Sequence, residues 1–260
     1  MPPWPPKPLS APDPWPEGVA RHLLATVDST NAEAARLAPT LTEPAWILAG
    51  EQTAGRGRRA RSWVSPRGNF HATYVMKPTE GLDVIALRSF AASLALREAF
   101  IAVTGLPNAF ALTWPNDVLL NGGKIAGILL ESAGSGKSIS YLAIGMGVNL
   151  IAAPDAAQVE PGALPPVSLL AETGHRIAPE IFLNHLAPAY ARWEACFTTI
   201  GFAPLRLEWL SHAIKLGETI RARTGNATYE GRFETIDDTG ALVLHTSTGR
   251  MAIPAADVFF

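Results

Sequence analysis

Cysteine occurs once in these 260 residues, at Cys196, so no intramolecular disulfide can form and a reducing cytosol is the natural compartment. The six histidines (His22, His71, His175, His185, His212 and His245) are scattered, with no HExxH and no Cys/His pairing, so no zinc site is expected. No apolar stretch reaches the roughly 18 uninterrupted residues that a membrane span requires. The N-terminus lacks a basic segment followed by an apolar run and does not read as a signal peptide. A basic excess is missing too. Lys and Arg number 21 against 23 Asp and Glu, for a net charge of −2, where a dedicated nucleic-acid binder would be basic. Charged residues make up only 17% and hydrophobic ones 48%, enough to bury a real core. The expectation is a cytoplasmic protein with no membrane segment, long enough for one large domain and a small one.

Against that sparse charge, one stretch stands out. Residues 51–61 read EQTAGRGRRAR, with Arg56, Arg58, Arg59 and Arg61 set among Gly55, Gly57 and Ala60. Glycines beside arginines make a loop whose backbone can take φ > 0 and approach a ligand closely. Guanidinium forks hold carboxylates and phosphates through paired hydrogen bonds. A solvated basic turn, or a segment touching nucleic acid, is the plainer alternative. The net charge favours a small anionic ligand over a long polyanion.

Eight prolines within residues 1–18 forbid helix and disfavour sheet, so an extended arm is expected there, with Trp4 and Trp15 tacking it down. RHLLATV, from Arg21, reads as a strand. In Asp28-Ser29-Thr30-Asn31, the Thr30 to Glu33 spacing is that of a capping box, so a helix should start here. That segment is an N-cap or a polar ligand contact, and it can be both. PAWILAG (44–50) is a buried strand entering the arginine loop. NFHATYVMK is another, in which His71 reads as packed. Residues 83–104 have helical apolar spacing and are expected to form one long helix ended by Gly105.

LTWPNDVLLNGGKIAGILLES (112–132) places apolar strands around a WPND turn and an Asn121-Gly122-Gly123 hairpin turn. Lys124 should emerge next to Asn116 and Asp117, although a lysine at a strand start is usually a surface residue. GSGKS (134–138) is not a phosphate loop, because the first glycine of that motif would fall at Glu131; it reads as a hairpin turn. YLAIGMGVNL is a strand in which Gly145 and Gly147 leave room for close approach. Residues 151–167 form a loop, 168–173 a short helix, and 179–199 a helix kinked at Pro188 that continues towards Trp209. From about residue 216 short β-type runs broken by glycines indicate a small β-barrel.

DSTN, EQTAGRGRRAR, WPND, KIAGILLE and the glycine strand ending VNL occur in one order. Together they resemble the biotin–protein ligases, from about Arg21 to the C-terminus. That resemblance implies an α+β fold, a mixed β-sheet with helices packed on it, followed by an SH3-like β-barrel. It implies a proline-rich arm over 1–20, a catalytic domain over 21–210 and the barrel over 211–260. It also implies ATP, Mg²⁺ carried with the nucleotide rather than fixed by protein alone, biotin as substrate and a biotin carboxyl carrier protein as partner. Relatives of this kind occur as monomers and homodimers.

Residue by residue, the resemblance implies that Ser29, Thr30 and Gln52 hold the biotin ureido ring, with Asn31 and Gly127 in the same set. Arg56, Gly57 and Arg58 match the loop that closes over biotin and its adenylate. Lys124 resembles the lysine that contacts the biotin carboxylate and the reacting phosphate. Asn116 and Asp117 would lie near the nucleotide and the acceptor lysine, with Asp117 helping to deprotonate that amine. Arg59, Arg61 and Trp63 would serve ATP, and Asn149 would sit by the phosphates or metal. Lys124, Arg58 and Asp117 are the expected catalytic set. Ala60 stands where the family commonly has glycine. Some relatives begin with a helix-turn-helix domain; about twenty proline-rich residues cannot form one, so no operator DNA binding is expected. Lipoate or octanoate transfer on the same fold is the nearest alternative. A nucleic-acid-binding module is disfavoured by net charge, and a non-catalytic binding protein by the intact lysine, arginines and WPND.

Overall fold

A computed structural model describes residues 11–135, 138–155, 159, 164–224, 227–254 and 257–259. The expectations for residues 1–10 and for the tip of the GSGKS turn lie outside these. In chain order, the first unit comprises β1 (Ala20–Leu24), α1 (Thr30–Leu37), β2 (Ala45–Ala49), β3 (Phe70–Met76), α2 (Leu82–Ile85) and α3 (Arg88–Thr104). It continues with β4 (Phe110–Thr113), β5 (Asp117–Leu120), β6 (Gly123–Ser135), β7 (Ser138–Val148), α4 (Leu169–Thr173), α5 (Pro179–Ile200) and α6 (Phe202–Ser211). Its strands form a mixed sheet in the order β1-β2-β3-β7-β6-β5-β4, parallel only between β1 and β2, where α1 makes the crossover.

Strand side chains alternate between the two faces of this sheet. On one face Trp46, Leu48, Phe70, Ala72, Tyr74, Leu142, Ile144 and Met146 join the large core under α3 and α5. On the other, Ile47, Val75 and Ala143 pack with Ala34 of α1 in a smaller cluster. Cover on both faces explains why β2 reads as the uninterrupted run AWILA. Further along that second face the side chains shrink to Gly127, Gly145 and Gly147, and the functional cavity lies there.

The expected helix over 83–104 is two helices. α2 ends at Ile85, and the chain turns through Ala86 and Leu87 before α3 begins at Arg88. Ile85, Leu87 and Phe90 are all buried, so the apolar spacing survives the turn and conceals it. Arg88 is fully buried and meets Glu80 at 2.7 Å and Glu194 of α5 at 2.8 Å. α3 ends at Gly105, in the left-handed region at φ 70°. α5 runs through Pro188, but Gly201 at φ 98° separates it from α6, so the expected continuation is a second helix.

The C-terminal strands β8 (Thr219–Arg223), β9 (Thr228–Ile236), β10 (Leu242–Thr246), β11 (Gly249–Ile253) and β12 (Asp257–Phe259) form the small antiparallel sheet, in the order β11-β10-β9-β8-β12. Ile220, Phe233, Ile236 and Leu242 belong to the large core, so the two units share one apolar interior. The linker also covers an edge of the first sheet: Leu112 N–H donates to His212 O and Ile214 N–H to Leu112 O, both at 2.9 Å. Among the described residues no helix is long and apolar enough to cross a membrane.

Arg88→Ala would leave the Glu80 and Glu194 carboxylates facing a buried site without their cation. Urea unfolding should show a loss of about 3–5 kcal/mol; a loss under about 1 kcal/mol would show that the network contributes little.

Candidate functional site

The site begins at the start of α1. Ser29 is the N-cap residue, but its hydroxyl makes no hydrogen bond among the described residues. Glu33 pairs with Arg36 instead of reaching back, so the expected capping box does not form. The first helical N–H, that of Thr30, donates at 2.8 Å to Gln52 Oε1, a group 22 residues away on the segment leaving β2. A helix N-terminus is thereby satisfied by the next strand's exit, and Ser29 is left facing the cavity.

A buried polar chain continues from there. The Thr73 hydroxyl of β3 lies 2.6 Å from Asn31 Oδ1 and 2.8 Å from Thr30 Oγ1, which in turn lies 3.1 Å from Gln52 Oε1. Gln52 Nε2 donates to Ser65 Oγ at 3.0 Å, and Ser65 donates to the Trp63 carbonyl at 3.1 Å. Asn31 Nδ2 donates to Glu131 Oε2 at 2.8 Å, and Arg56 Nη2 lies 3.4 Å from the Glu131 carboxylate. Asn31 lines the cavity but has both ends of its amide engaged by protein, so it braces α1 against β3 and β6. Thr73, Ser65 and Glu131 were not singled out from the sequence. A threonine inside the buried strand FHATYVM was the available sign for the first, and the end of KIAGILLE for the last.

The glycines are needed for close approach. A Cβ on Gly145 would stand 2.4 Å from Asn31 Oδ1, and one on Gly147 2.4 Å from the Trp63 indole. The Trp63 ring therefore lies directly on the β7 backbone; its Nε1 is buried without a partner among the described residues. Gly55 is needed in the same sense, since its Cβ would fall 2.6 Å from Ser65 Oγ and the Trp63 carbonyl.

Lys124 and Asp117 occupy the centre. Gly127 lies three positions after Lys124, and simple alternation would put them on opposite faces. A bulge prevents that. Val118 pairs with Ala126 and Leu119 with Lys124, so Ile125 is the extra residue; Ile125 and Ala126 both enter the core. Lys124 is thus returned to the face of Gly127 and Asp117, and its Nζ meets Asp117 Oδ2 at 2.8 Å. The same ammonium lies 5.9 Å from the Trp63 ring centroid.

In the arginine loop, Gly57 N–H donates to Arg61 O at 2.7 Å and Trp63 N–H to Gly55 O at 2.9 Å. The positive φ expected of the glycines falls on Arg59, at 56°, inside the short 3₁₀ turn Arg58–Ala60. Arg58 Nη1 reaches Asn116 Oδ1 at 3.3 Å, and Asn116 Nδ2 is fixed by the Ile128 carbonyl.

These groups line one cavity of about 770 Å³. Ser29, Thr30, Asn31, Gln52, Arg56, Gly57, Arg58, Arg61, Trp63, Asn116, Asp117, Lys124, Gly127 and Asn149 all border it. Arg59 does not; the left-handed turn leaves it exposed outside the lining, so its expected part in nucleotide binding is not supported by its position. Asn149 is buried, with Nδ2 donating to the Val167 carbonyl at 3.1 Å. Among the described residues no group of three His, Cys, Asp or Glu could hold a metal.

Such a cavity, with hydroxyl and amide groups at one end and cations around one carboxylate at the other, suits a ligand with a polar head and an anionic tail. Residues 23–149 match the model of the Biotin/lipoate A/B protein ligase family, and residues 215–260 that of the Biotin protein ligase C terminal domain. The chain is 58% identical over 238 residues to the biotin–[acetyl-CoA-carboxylase] ligase of Paracoccus denitrificans, covering 92% of this chain and 99% of that one. It is 32% identical to the bifunctional ligase/repressor BirA of Bacillus subtilis, covering 93% of this chain and 75% of that protein. Its fold matches the biotin protein ligase of Aquifex aeolicus solved with biotin and ATP, with a TM-score of 0.78 at 24% identity, over 92% of this chain and 97% of that one. Fold and family models together place the protein in the class of biotin and lipoate ligases. Within that class, the chain belongs to the biotin–[acetyl-CoA-carboxylase] ligase family.

Two measurements test this geometry. In a double-mutant cycle of Asn31→Ala and Glu131→Ala, unfolding free energies should couple by about 1 kcal/mol or more; additive losses would refute the brace. Separately, burial holds the His71 imidazole below its ordinary value, against the opposing pull of the Pro66 carbonyl. The unfolded chain takes up this proton near pH ~6.5 while the folded chain does not, so stability falls as pH drops below that value. His185, also held low by burial, adds to the same slope. His71→Phe should partly flatten the dependence of Tm on pH between about 7 and 5, and an unchanged slope would contradict the assignment.

Proposed function

We propose that this protein activates biotin with ATP and transfers it to one lysine of a biotin carboxyl carrier protein, a subunit or domain of a cytoplasmic carboxylase. The observation that carries the reading is the Lys124–Asp117 pair on the glycine-paved face, set between the Ser29–Thr30–Gln52 donors and acceptors and the cations Arg56 and Arg58. The extended likeness to the Paracoccus enzyme supports the substrate.

In the first step a biotin carboxylate oxygen bonds to the α-phosphorus of ATP, the bond to the bridging oxygen breaks, and pyrophosphate leaves. Two anions must be brought together, so positioning and charge neutralisation do the work and no protein nucleophile is required. Lys124 exchanges its Asp117 partner for the carboxylate and the phosphoryl oxygens. Arg56 has a weak partner to give up: it holds Glu131 at 3.4 Å with both side chains well exposed, a pair worth about 0–1 kcal/mol. Mg²⁺, carried on the nucleotide, supplies charge neutralisation at the phosphates. Asp117 and Asn149 border the cavity and would offer it oxygen donors, a pair that fits a shared ion better than a protein-built cage. Asp117, once released by Lys124, is the carboxylate that takes a proton from the acceptor amine.

The test is mass spectrometry of a carrier domain incubated with the enzyme, Mg-ATP and biotin, with lipoate and octanoate in parallel. A gain of one biotin that requires ATP is expected. Transfer of lipoate or octanoate in its place would overturn the substrate. Lys124→Ala should slow adenylate formation by about 10²–10³-fold with the fold intact, and Arg58→Ala should weaken retention of the adenylate by about 10–100-fold. Wild-type behaviour in either would remove the role given to that residue.

A further inference from the structure

The buried chain of Thr30, Thr73 and Asn31 ends on a carboxylate that does not itself border the cavity, that of Glu131 on β6. We infer that Glu131 is a positioning residue for substrate selection. It fixes the direction of the hydrogen bonds in this chain, so that Thr30 meets the ligand as an acceptor and the cavity selects a head group that donates an N–H. The inference rests on the ligase reading and deepens it, by naming the group that sets the polarity of the head-group end.

Each donor in the chain is settled by its neighbours. A carboxylate and a peptide carbonyl only accept. Asn31 faces both with one end of its amide, Glu131 Oε2 at 2.8 Å and the Leu129 carbonyl at 3.3 Å, so that end is Nδ2. Asn31 Oδ1 then points to Thr73, and the Thr73 hydroxyl donates to it at 2.6 Å. A hydroxyl has one proton. With that proton spent on Asn31, the Thr73 oxygen faces Thr30 Oγ1, 2.8 Å away, as an acceptor. The other neighbour of Thr30 Oγ1 is Gln52 Oε1 at 3.1 Å. That atom is the amide oxygen, since it accepts the Thr30 N–H at 2.8 Å while Nε2 donates to Ser65. Among the described residues, both neighbours of the Thr30 hydroxyl are therefore acceptors. Its proton points into the protein, and its oxygen, on a residue that borders the cavity, is open to a donor from the ligand.

Glu131 holds the far end of this sequence. An Asn31 amide turned the other way would set Oδ1 against the Glu131 carboxylate and the Leu129 carbonyl, oxygen on oxygen. It would also put Nδ2 on Thr73, send the Thr73 proton to Thr30, and fill the lone pair that the ligand needs. Asn31 cannot slide away instead, because it lies against the β7 backbone, where a Cβ on Gly145 would stand 2.4 Å from Oδ1. On its other side Glu131 meets Arg56 Nη2 at 3.4 Å, a second donor that favours the carboxylate where it is. The polarity bears on ligand choice. A cyclic urea brings N–H donors. The dithiolane of lipoate and the alkyl chain of octanoate bring none, and either would leave Thr30 Oγ1 facing apolar atoms. A site built to hydrogen-bond one ligand rejects most strongly the ligand that lacks the matching group.

The test exchanges the acceptor at position 131. Glu131→Gln keeps an oxygen for Asn31 and removes the charge. Glu131→Lys replaces the acceptor by a donor and turns the Asn31 amide round. Capture of the activated acyl group by hydroxylamine, with Mg-ATP, is followed for biotin and for the two cyclic carbamates in which one or other ureido N–H is replaced by oxygen. Wild type should favour biotin over one of the carbamates by at least about tenfold in kcat/KM. Glu131→Gln should keep that preference within about threefold. Glu131→Lys should lose it, the ratio falling to within about threefold of unity while KM for biotin rises at least about tenfold. A purely structural role would weaken biotin and carbamate together, so an unchanged ratio in Glu131→Lys overturns the inference. A Glu131→Gln variant that behaves like Glu131→Lys overturns it too, as does a wild-type enzyme that takes both carbamates as readily as biotin. If Glu131→Lys loses its circular dichroism signature, Thr73→Val against Thr73→Ser repeats the test. The valine should cut the preference at least about threefold and the serine keep it; an unchanged ratio in Thr73→Val is again the refuting result. A wild-type enzyme that forms no biotinyl hydroxamate would instead sink the ligase reading itself.

Discussion

The site depends on a sheet face with almost no side chains. Gly127, Gly145 and Gly147 lie side by side on β6 and β7, where a methyl group at the last two would stand 2.4 Å from its neighbours. Because that surface is bare backbone, the Asn31 amide and the Trp63 indole can lie flat on it, and β3 can present Thr73 alongside. Remove the clearance and α1 can no longer dock with Ser29 and Thr30 facing the cavity. The polar head group and the charged centre would then cease to share one wall. Backbone proximity of this kind is what glycine in a strand makes possible, at the cost of side-chain packing. Here the loss is offset on the reverse face, where Leu142, Ile144, Met146 and Val148 of the same strand enter the main core.

On that platform the charges are balanced but loosely held. Lys124 has Asp117, Arg56 has Glu131, and Arg58 reaches the Asn116 amide. None of these partners is fully buried with its cation, so exchanging them for a carboxylate and phosphates is inexpensive. The contrast within the same chain is Arg88, which is completely buried between Glu80 and Glu194 and has no such freedom. One cation cluster is built to change partners and the other to keep them. Exposure makes the difference, since all of them are arginines or lysines facing oxygen acceptors.

Much of this was legible in the sequence. Strand and helix periods located the main elements, and every expected site residue except Arg59 borders one cavity. What stayed hidden has a common cause: one-residue changes in backbone geometry that leave no trace in composition. The bulge at Ile125 turns Lys124 to the face of Asp117, yet KIAGILLE reads the same with or without it. The left-handed residue of the arginine loop is Arg59 and neither glycine, and Arg59 is the one arginine of the loop outside the cavity lining. The turn at Ala86–Leu87 keeps the apolar spacing of α2 and α3 intact and so conceals itself. The capping box failed for a different reason. The Thr30 N–H had a competing acceptor in Gln52, a tertiary contact that local spacing cannot reveal.

Long-range contacts of that sort also explain why the small C-terminal sheet stays with the larger unit. Its core residues Ile220, Phe233, Ile236 and Leu242 are part of the same apolar interior as α3 and α6, so the two units are not free to move as independent bodies. The Trp114–Gly240 hydrogen bond ties the sheet to the turn that carries Asn116 and Asp117. The β9–β10 turn is thereby bonded to a residue only two positions before Asn116. The position of the C-terminal sheet is thus tied to the same WPND turn that sets Asp117 against Lys124.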